Sequence, residues 1–349
     1  MDYFLKCTNC NAEFDKKFNK QICNKCGSIL DVKYNKLRLK KNNNNDFWAY
    51  EEVLPNAKYK HYAIGGTKII KSNENENLFL KLELENPTKS FKDRGSVVEI
   101  AKCIEYGYDE IACASTGNMG FSVAYFAKLN NIKAKIFVSA NANKDKIKDI
   151  KQVHDADIIK VNGDFNLAQK FAEKYSQKNN VFLGGDYCYR KEGQKIVVYE
   201  IINQLNPSNI LVPIGNATLL YGVLQAIDEM KSMNFIKNSP KVIGVQAKLC
   251  SPFIKAFNTN ANIKYEKPKT SADAIAVGYP TFGTIAIEKL KKNNGIAISV
   301  SEKEMKLEQK LFYKNYGLIS ETAGVATVAA FKKLKLNGKT VAIISGGNI

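Results

Sequence analysis

From position 78 onward, short apolar runs alternate with stretches of helical spacing, and this order constrains the fold more than any other feature of the chain. The run Leu78-Phe79-Leu80-Lys81-Leu82-Glu83-Leu84 alternates as a half-buried strand does, and residues 96–104 carry apolar residues at helical spacing. Strands are predicted over 110–114, 135–138, 157–161, 181–183, 209–213, 242–247 and 341–344. Helices are predicted over 121–129, 144–154, 165–177 and 223–230. Strand–helix–strand order of this kind calls for right-handed crossovers and a parallel sheet, so the fold class is α/β. In such sheets ligands bind where the strands run into the following loops.

The loops themselves have a pattern. Ser115-Thr116-Gly117-Asn118-Met119-Gly120 lies between a predicted strand and a helix, and so does the stretch from Ile214 through Gly215, Asn216, Ala217, Thr218 and Leu219 to Gly222. A strand, a loop of small residues and a helix N-terminus together aim backbone N–H groups at an anion, whether carboxylate or phosphate. A plain helix cap reads the same way on pattern alone. Lys92 is placed near a helix start, after a strand and a proline turn. The helix dipole disfavours a cation there, and so favours the neutral amine that Schiff-base chemistry needs.

Near the N-terminus stand two Cys-x-x-Cys knuckles, Cys7/Cys10 and Cys23/Cys26. A knuckle points two thiolates at one ion, and four thiolates suit tetrahedral zinc. The segment is too short to bury a core of its own, so the metal would supply folding energy. The rival reading, two disulfides, is disfavoured in a cytoplasmic chain. Cys103, Cys113, Cys188 and Cys250 are isolated and read as core residues. His61 and His154 belong to no nucleophile arrangement and read as surface or packing residues.

At 349 residues, 45% of them hydrophobic, the chain has room for two domains and a small appendage. No run of 18 apolar residues and no signal-peptide core occurs, so the expected place is the cytoplasm and no membrane partner is expected. The net charge is +18, yet the first 45 residues hold only ten Lys or Arg against four Asp or Glu, and the excess is spread along the chain. No basic helix or Arg-rich run interleaved with aromatics is present, which argues against a nucleic-acid partner.

Asn86-Pro87-Thr88-Lys89-Ser90-Phe91-Lys92-Asp93-Arg94-Gly95 resembles the lysine segment of threonine synthases, within the tryptophan-synthase-β-like class of pyridoxal 5′-phosphate (PLP) enzymes. The family commonly has Gly at the position of Lys89. Further resemblances are Phe47 to Pro55, the Ile64-Gly65-Gly66-Thr67 turn, Tyr189-Arg190-Lys191-Glu192-Gly193-Gln194-Lys195, the stretch 271–280 and Glu321-Thr322-Ala323-Gly324. A zinc ribbon also precedes one branch of that family. The resemblance implies PLP fold type II, with two α/β domains and the cofactor between them, behind a zinc ribbon. The expected division is a ribbon over 1–35, a linker over 36–46, a lysine-bearing domain over 47–185 and a domain carrying the cofactor-phosphate loop over 186–349.

The resemblance also implies roles. Lys92 holds PLP and acts as general base. Asn118 bonds the ring hydroxyl oxygen, Gly215 to Leu219 cradle the cofactor phosphate, and Ser345 meets the pyridine nitrogen. Ser115, Thr116, Gly117, Asn118 and Met119 grip the substrate carboxylate. Arg190, placed at a strand-to-helix turn, contributes to a substrate-phosphate site. The implied reaction turns O-phospho-L-homoserine and water into L-threonine and phosphate, in a homodimer. Three departures, Met119, Tyr187 and Ser345, point toward a related β-replacement or elimination enzyme acting on phosphoserine, serine or threonine, of cysteate-synthase-like or dehydratase kind. A third reading is a zinc-ribbon binding protein on an inactive scaffold, which an intact Lys92 argues against.

Overall fold

The computed structural model describes residues 2–40, 44–115, 117–140, 142, 147, 148, 150, 151 and 156–347. Among them the strands in chain order are β1 (Tyr3–Cys7), β2 (Glu13–Asp15), β3 (Leu30–Tyr34), β4 (Ile69–Lys71), β5 (Leu78–Leu82), β6 (Glu110–Ser115), β7 (Lys133–Ser139), β8 (Ala156–Val161), β9 (Phe182–Leu183), β10 (Asn209–Pro213), β11 (Lys241–Ala247), β12 (Ile296–Val300) and β13 (Thr340–Ile344). The helices are α1 (Lys92–Glu105), α2 (Asn118–Lys128), α3 (Phe165–Asn179), α4 (Cys188–Gln194), α5 (Ile196–Leu205), α6 (Thr218–Ser232), α7 (Pro252–Thr259), α8 (Gly283–Lys292), α9 (Glu302–Tyr316) and α10 (Ala326–Phe331). The chain divides into two compact units.

The first unit comprises Met1–Lys40, Tyr50–Tyr62 and Lys92–Gln194. It holds a parallel sheet in the order β8-β7-β6-β9 and the small antiparallel sheet β2-β1-β3. β6 lies inside its sheet, and Ile111, Ala112, Cys113 and Ala114 are all buried, as expected of a strand covered on both faces. The second unit comprises Lys41–Ala49, Ala63–Phe91 and Lys195–Ile349, with one six-stranded sheet, β12-β11-β10-β13-β5-β4. All its neighbours are parallel except β4 and β5. Its core forms where Leu211, Ile243, Val245 and Val300 meet Ala326 and Ala330. A second cluster packs Leu78, Leu80, Leu82 and Ile344 against Phe312 and Val328. Each of those leucines contributes about 1.5–3 kcal/mol by leaving water.

The parallel α/β prediction is met. The expected domain boundary at 185/186 differs from these units. β5 pairs in register with β13, so residues 63–91 join the sheet of the second unit although they precede Lys92 in sequence. The ribbon is not set apart either, for residues 1–40 cluster with the first unit. The strand expected over 78–84 stops at Leu82, where the chain turns into a 3-10 segment, Glu83–Glu85. α2 and α6 start at Asn118 and Thr218, earlier than expected, because the last residues of each small-residue loop form the first helical turn. The helix expected over 144–154 falls mostly outside the described residues, as does His154. Local signals hold well elsewhere: Ser301 and Glu304 form a capping box at the start of α9, and left-handed Gly317 ends it.

Candidate active site

In the first unit, Lys92 opens α1. Its side chain is 15% exposed, and Nζ lies 3.9 Å from Asp186 Oδ1. The Lys92 carbonyl accepts a hydrogen bond of 3.1 Å from Arg190 Nη1. Arg190 is fully buried in α4. Its Nε donates to the Gly185 carbonyl, its Nη2 donates to Ser96 Oγ, both at 3.1 Å, and Nη2 also pairs with Glu99. Glu99 in turn accepts the Gly185 N–H at 2.7 Å. Burial pushes the Glu99 carboxyl up to about 7, against the pull of Arg190. Gly95 and Gly193 make this packing possible: a β-carbon on Gly95 would strike the Arg190 side chain, and one on Gly193 would overlap the Arg94 carbonyl.

The position of Arg190 corrects the expectation. It lies within a helix and is sealed from solvent, with its donors turned onto α1 and Gly185, so in this conformation it meets no solvent-borne phosphate.

The loop after β6 closes around Ser115, whose buried Oγ accepts from Gly117 N at 2.9 Å and Gly120 N at 2.6 Å. Two of the N–H groups expected to face an anion are therefore turned inward. Asn118 is the first residue of α2. Thr116 lies outside the described residues. Ser122 Oγ reaches Asp93 at 2.6 Å and Ser96 Oγ at 2.8 Å, which ties α2 to the first turns of α1. Met119 is buried, and a β-carbon on Gly185 would lie 3.8 Å from its Cε. Lys92, Asp186, Gly185, Met119 and the start of α2 are thus held in one neighbourhood of this unit.

In the second unit, the stretch before Lys92 is fastened at both ends. Asn86 Oδ1 accepts from Gly65 N at 2.9 Å, and Asn86 Nδ2 donates to Glu83. Gly65 and Gly66 take φ of 63° and 58°, which explains the glycine pair in that turn. Phe91 N donates to the Ser345 carbonyl at 3.1 Å, and Gly347 N donates to the Lys89 carbonyl at 2.8 Å. Ser345 therefore stands beside the residue that immediately precedes Lys92.

Gly215 to Leu219 form the turn between β10 and α6. Ala217 takes φ of 63°, and a β-carbon on Gly215 would come 3.2 Å from the Ala274 carbonyl, so the 271–280 stretch packs directly on this turn. Asn216 Oδ1 accepts from Thr281 N at 3.1 Å. Thr218 Oγ1 is buried with no hydrogen-bond partner among the described residues. An unused hydroxyl in a tight turn, at the N-terminus of a 15-residue helix, fits a phosphate dianion.

In the ribbon, the four Sγ atoms of Cys7, Cys10, Cys23 and Cys26 lie within 4.8 Å of one another. All eight cysteines are free thiols, which excludes the disulfide reading in this structure. Four sulfurs about 2.3 Å from a central zinc stand about 3.8 Å apart, so the cluster fits the metal. Cys103, Cys113, Cys188 and Cys250 are buried as expected. His61 is exposed and meets Glu51 at 2.7 Å.

Over residues 61–346 the chain matches the model of the family described as pyridoxal-phosphate dependent enzyme. The chain belongs to that family. Threonine synthase of Methanosarcina acetivorans is 31% identical, over 99% of this chain and 92% of the relative. Threonine synthase of Methanocaldococcus jannaschii is 29% identical over 95% and 88%. Among solved structures, threonine deaminase isoform 2 of Solanum lycopersicum has a TM-score of 0.69 at 23% identity, covering 81% of this chain and 84% of that one. Maize serine racemase has a TM-score of 0.70 at 22% identity, covering 81% and 88%. These structures share the fold, PLP fold type II. The protein is thus a PLP-dependent enzyme of threonine-synthase-like, carbon–oxygen lyase type. No helix among the described residues is long and apolar enough to cross a membrane.

Sequence reasoning missed Glu99, Asp186 and Glu83. Glu99 left one trace, a charge inside the apolar run Val97-Val98-Glu99-Ile100, where a core residue is expected. Asp186 and Glu83 left none, because only the folded loops bring them to Lys92 and to Asn86.

Proposed function

We propose that the protein is a threonine synthase, converting O-phospho-L-homoserine and water to L-threonine and phosphate. The observation that carries the reading is the match to one threonine synthase along 99% of the chain, with the lysine segment at Asn86 to Gly95. Bound PLP supplies an electron sink that lets a substrate Cα lose its proton. Lys92 Nζ would hold the cofactor, and its amine would take the substrate Cα proton. Its place at the start of α1 disfavours a cation there, while the Asp186 carboxylate 3.9 Å away favours one. Asn118 holds the ring hydroxyl oxygen, Gly215, Asn216, Ala217, Thr218 and Leu219 the phosphate, and Ser345 the pyridine nitrogen. Ser115, Thr116, Gly117, Asn118 and Met119 shape the subsite for the substrate carboxylate. Arg190 acts from beneath, on the Lys92 carbonyl, rather than on the substrate phosphate. Cys7, Cys10, Cys23 and Cys26 hold a structural zinc ion, and the enzyme works in the cytoplasm as a homodimer.

One observation favours a second reading. The Asp186 carboxylate beside Lys92, with Arg190 turned inward, opposes a phosphate dianion in this neighbourhood. That suits replacement or elimination on serine or threonine, which carry no phosphate. The deciding experiment supplies PLP-loaded protein with O-phosphohomoserine, phosphoserine, serine and threonine in turn. Phosphate and threonine from phosphohomoserine support the first reading. Turnover of only the three shorter substrates overturns it in favour of the second.

A further inference from the structure

The seven residues of α4 are all buried, and they are held from two sides within the first unit. On one side stands the ribbon. Asp31 of β3 meets Lys191 Nζ at 2.5 Å, with side-chain exposures of 2% and 0%. Lys191 also pairs with Glu192, whose Oε2 accepts from Tyr34 OH at 2.5 Å. Gln21, between the two knuckles' strands, accepts from Tyr189 N at 3.3 Å through Oε1 and donates to the Leu183 carbonyl through Nε2. On the other side stands α1. Arg190 reaches the Lys92 carbonyl, Ser96 and Glu99, while Gly193 lies against the Arg94 carbonyl with no room for a β-carbon. A second brace runs in parallel: Lys102 Nζ of α1 sits among the rings of Tyr3, Tyr106 and Tyr189, at 5.2, 4.7 and 5.3 Å.

A ribbon serving only as an appended module has no need of a buried ion pair with the helix that supports the reactive lysine. Such a pair is costly to desolvate and costly to break on one side. It therefore couples the two elements it joins. We propose that the ribbon is a positioning element for Lys92, and that Asp31 and Lys191 are positioning residues: Asp31 sets α4 through Lys191, and α4 sets the first turn of α1 through Arg190. Neither residue touches the reacting atoms. The inference rests on Lys92 being the cofactor lysine.

The test is a mutant cycle on full-length protein, read as the dissociation constant for PLP by titration of its visible band, with circular dichroism to establish folding. Asp31→Asn removes the ribbon's charge from Lys191, which keeps Glu192 of its own helix, and PLP should bind about tenfold more weakly or worse. Asp31→Asn combined with Lys191→Met and Glu192→Gln removes all three buried charges at nearly constant volume, and should restore the constant to within about threefold of the parent. A purely structural role would lower the melting temperature of Asp31→Asn while leaving the constant, measured well below that temperature, unchanged. That result overturns the proposal, and so does a combined variant that folds yet binds PLP as poorly as the single one. Should Asp31→Asn fail to fold, Lys191→Met with Glu192→Gln carries the same comparison, since Asp31 then keeps Lys33 at 2.7 Å. Lys92→Ala is run beside them. If it keeps a lysine-bound cofactor spectrum, the assignment of Lys92 fails, which is a different outcome from an unchanged constant in the Asp31 variants.

Discussion

Lys89 holds a backbone conformation that suits glycine. Its φ is 59°, its N–H donates to the Asn86 carbonyl, and its own carbonyl accepts from Gly347 N. A left-handed conformation strains any residue with a β-carbon by about 1 kcal/mol. Threonine synthases commonly carry Gly there, and the structure gives the reason. Lys89→Gly relieves that strain but loosens the unfolded chain, and the two effects partly offset. The expected net is a gain of about 0.5 kcal/mol in urea unfolding, with the PLP band unchanged. A loss of stability would mean that the Lys89 side chain carries a contact worth more than the strain. Gly193 poses the opposite case. A β-carbon there would overlap the Arg94 carbonyl, so Gly193→Ala must push α4 away from α1. A cost of about 2–3 kcal/mol is expected, in the range of overpacked cores, and PLP should bind more weakly because Arg190 moves with the helix. An unchanged melting temperature would show that α1 and α4 separate without cost.

At the scale of elements, the joint between ribbon and α4 has a pH signature. Burial alone would raise the Asp31 carboxyl, but the charges of Lys191 and Lys33 outweigh it and hold the group well below the usual carboxylate range. Lys191 is also desolvated, yet Asp31 and Glu192 raise it above the ordinary lysine value. For a depressed acid, the stability contribution is complete above the unfolded value, about 4, and is lost as pH falls toward the native one. For a raised base, the contribution is complete below about 10.4 and is lost as pH rises beyond it. Stability measured by urea unfolding should therefore fall on the acid side more steeply in the parent than in the variant combining Asp31→Asn, Lys191→Met and Glu192→Gln. Equal acid slopes would remove the pair from the stability balance. None of this joint could be read in advance. The strands and helices were legible because their apolar period is local, and the four cysteines because spacing defines a knuckle, whereas Lys92 was singled out by the resemblance of its segment to that of threonine synthases. Asp31 carries no pattern, and Arg190 was misplaced because a turn and the first turn of a short buried helix look alike in sequence. β5 was given to the wrong half for a related reason: its partner, β13, is the last strand of the chain, and pairing across that separation leaves no local trace.

For the molecule as a whole, the question is whether metal loss frees a module or loosens a unit. A ribbon of this length has little core of its own, and metal binding in such segments is folding free energy. Here the buried ribbon residues Tyr3, Gln21 and Asp31 each also reach α4, through Tyr189 and Lys191. If zinc occupies the four thiolates, stripping it with a chelator should not produce a separate early transition followed by an unchanged main one. The melting of the first unit should move down as a single event. The PLP band should weaken in the same concentration range of chelator, because Lys92 opens α1, which α4 supports. Calorimetry and limited proteolysis, run with the visible spectrum on the same samples, check this. Early cleavage confined to residues 1–35, with the main transition and the cofactor band intact, would make the ribbon an independent module. Coincident loss of all three signals would mean that the metal, some distance along the chain from the reactive lysine, is part of what holds that lysine in place.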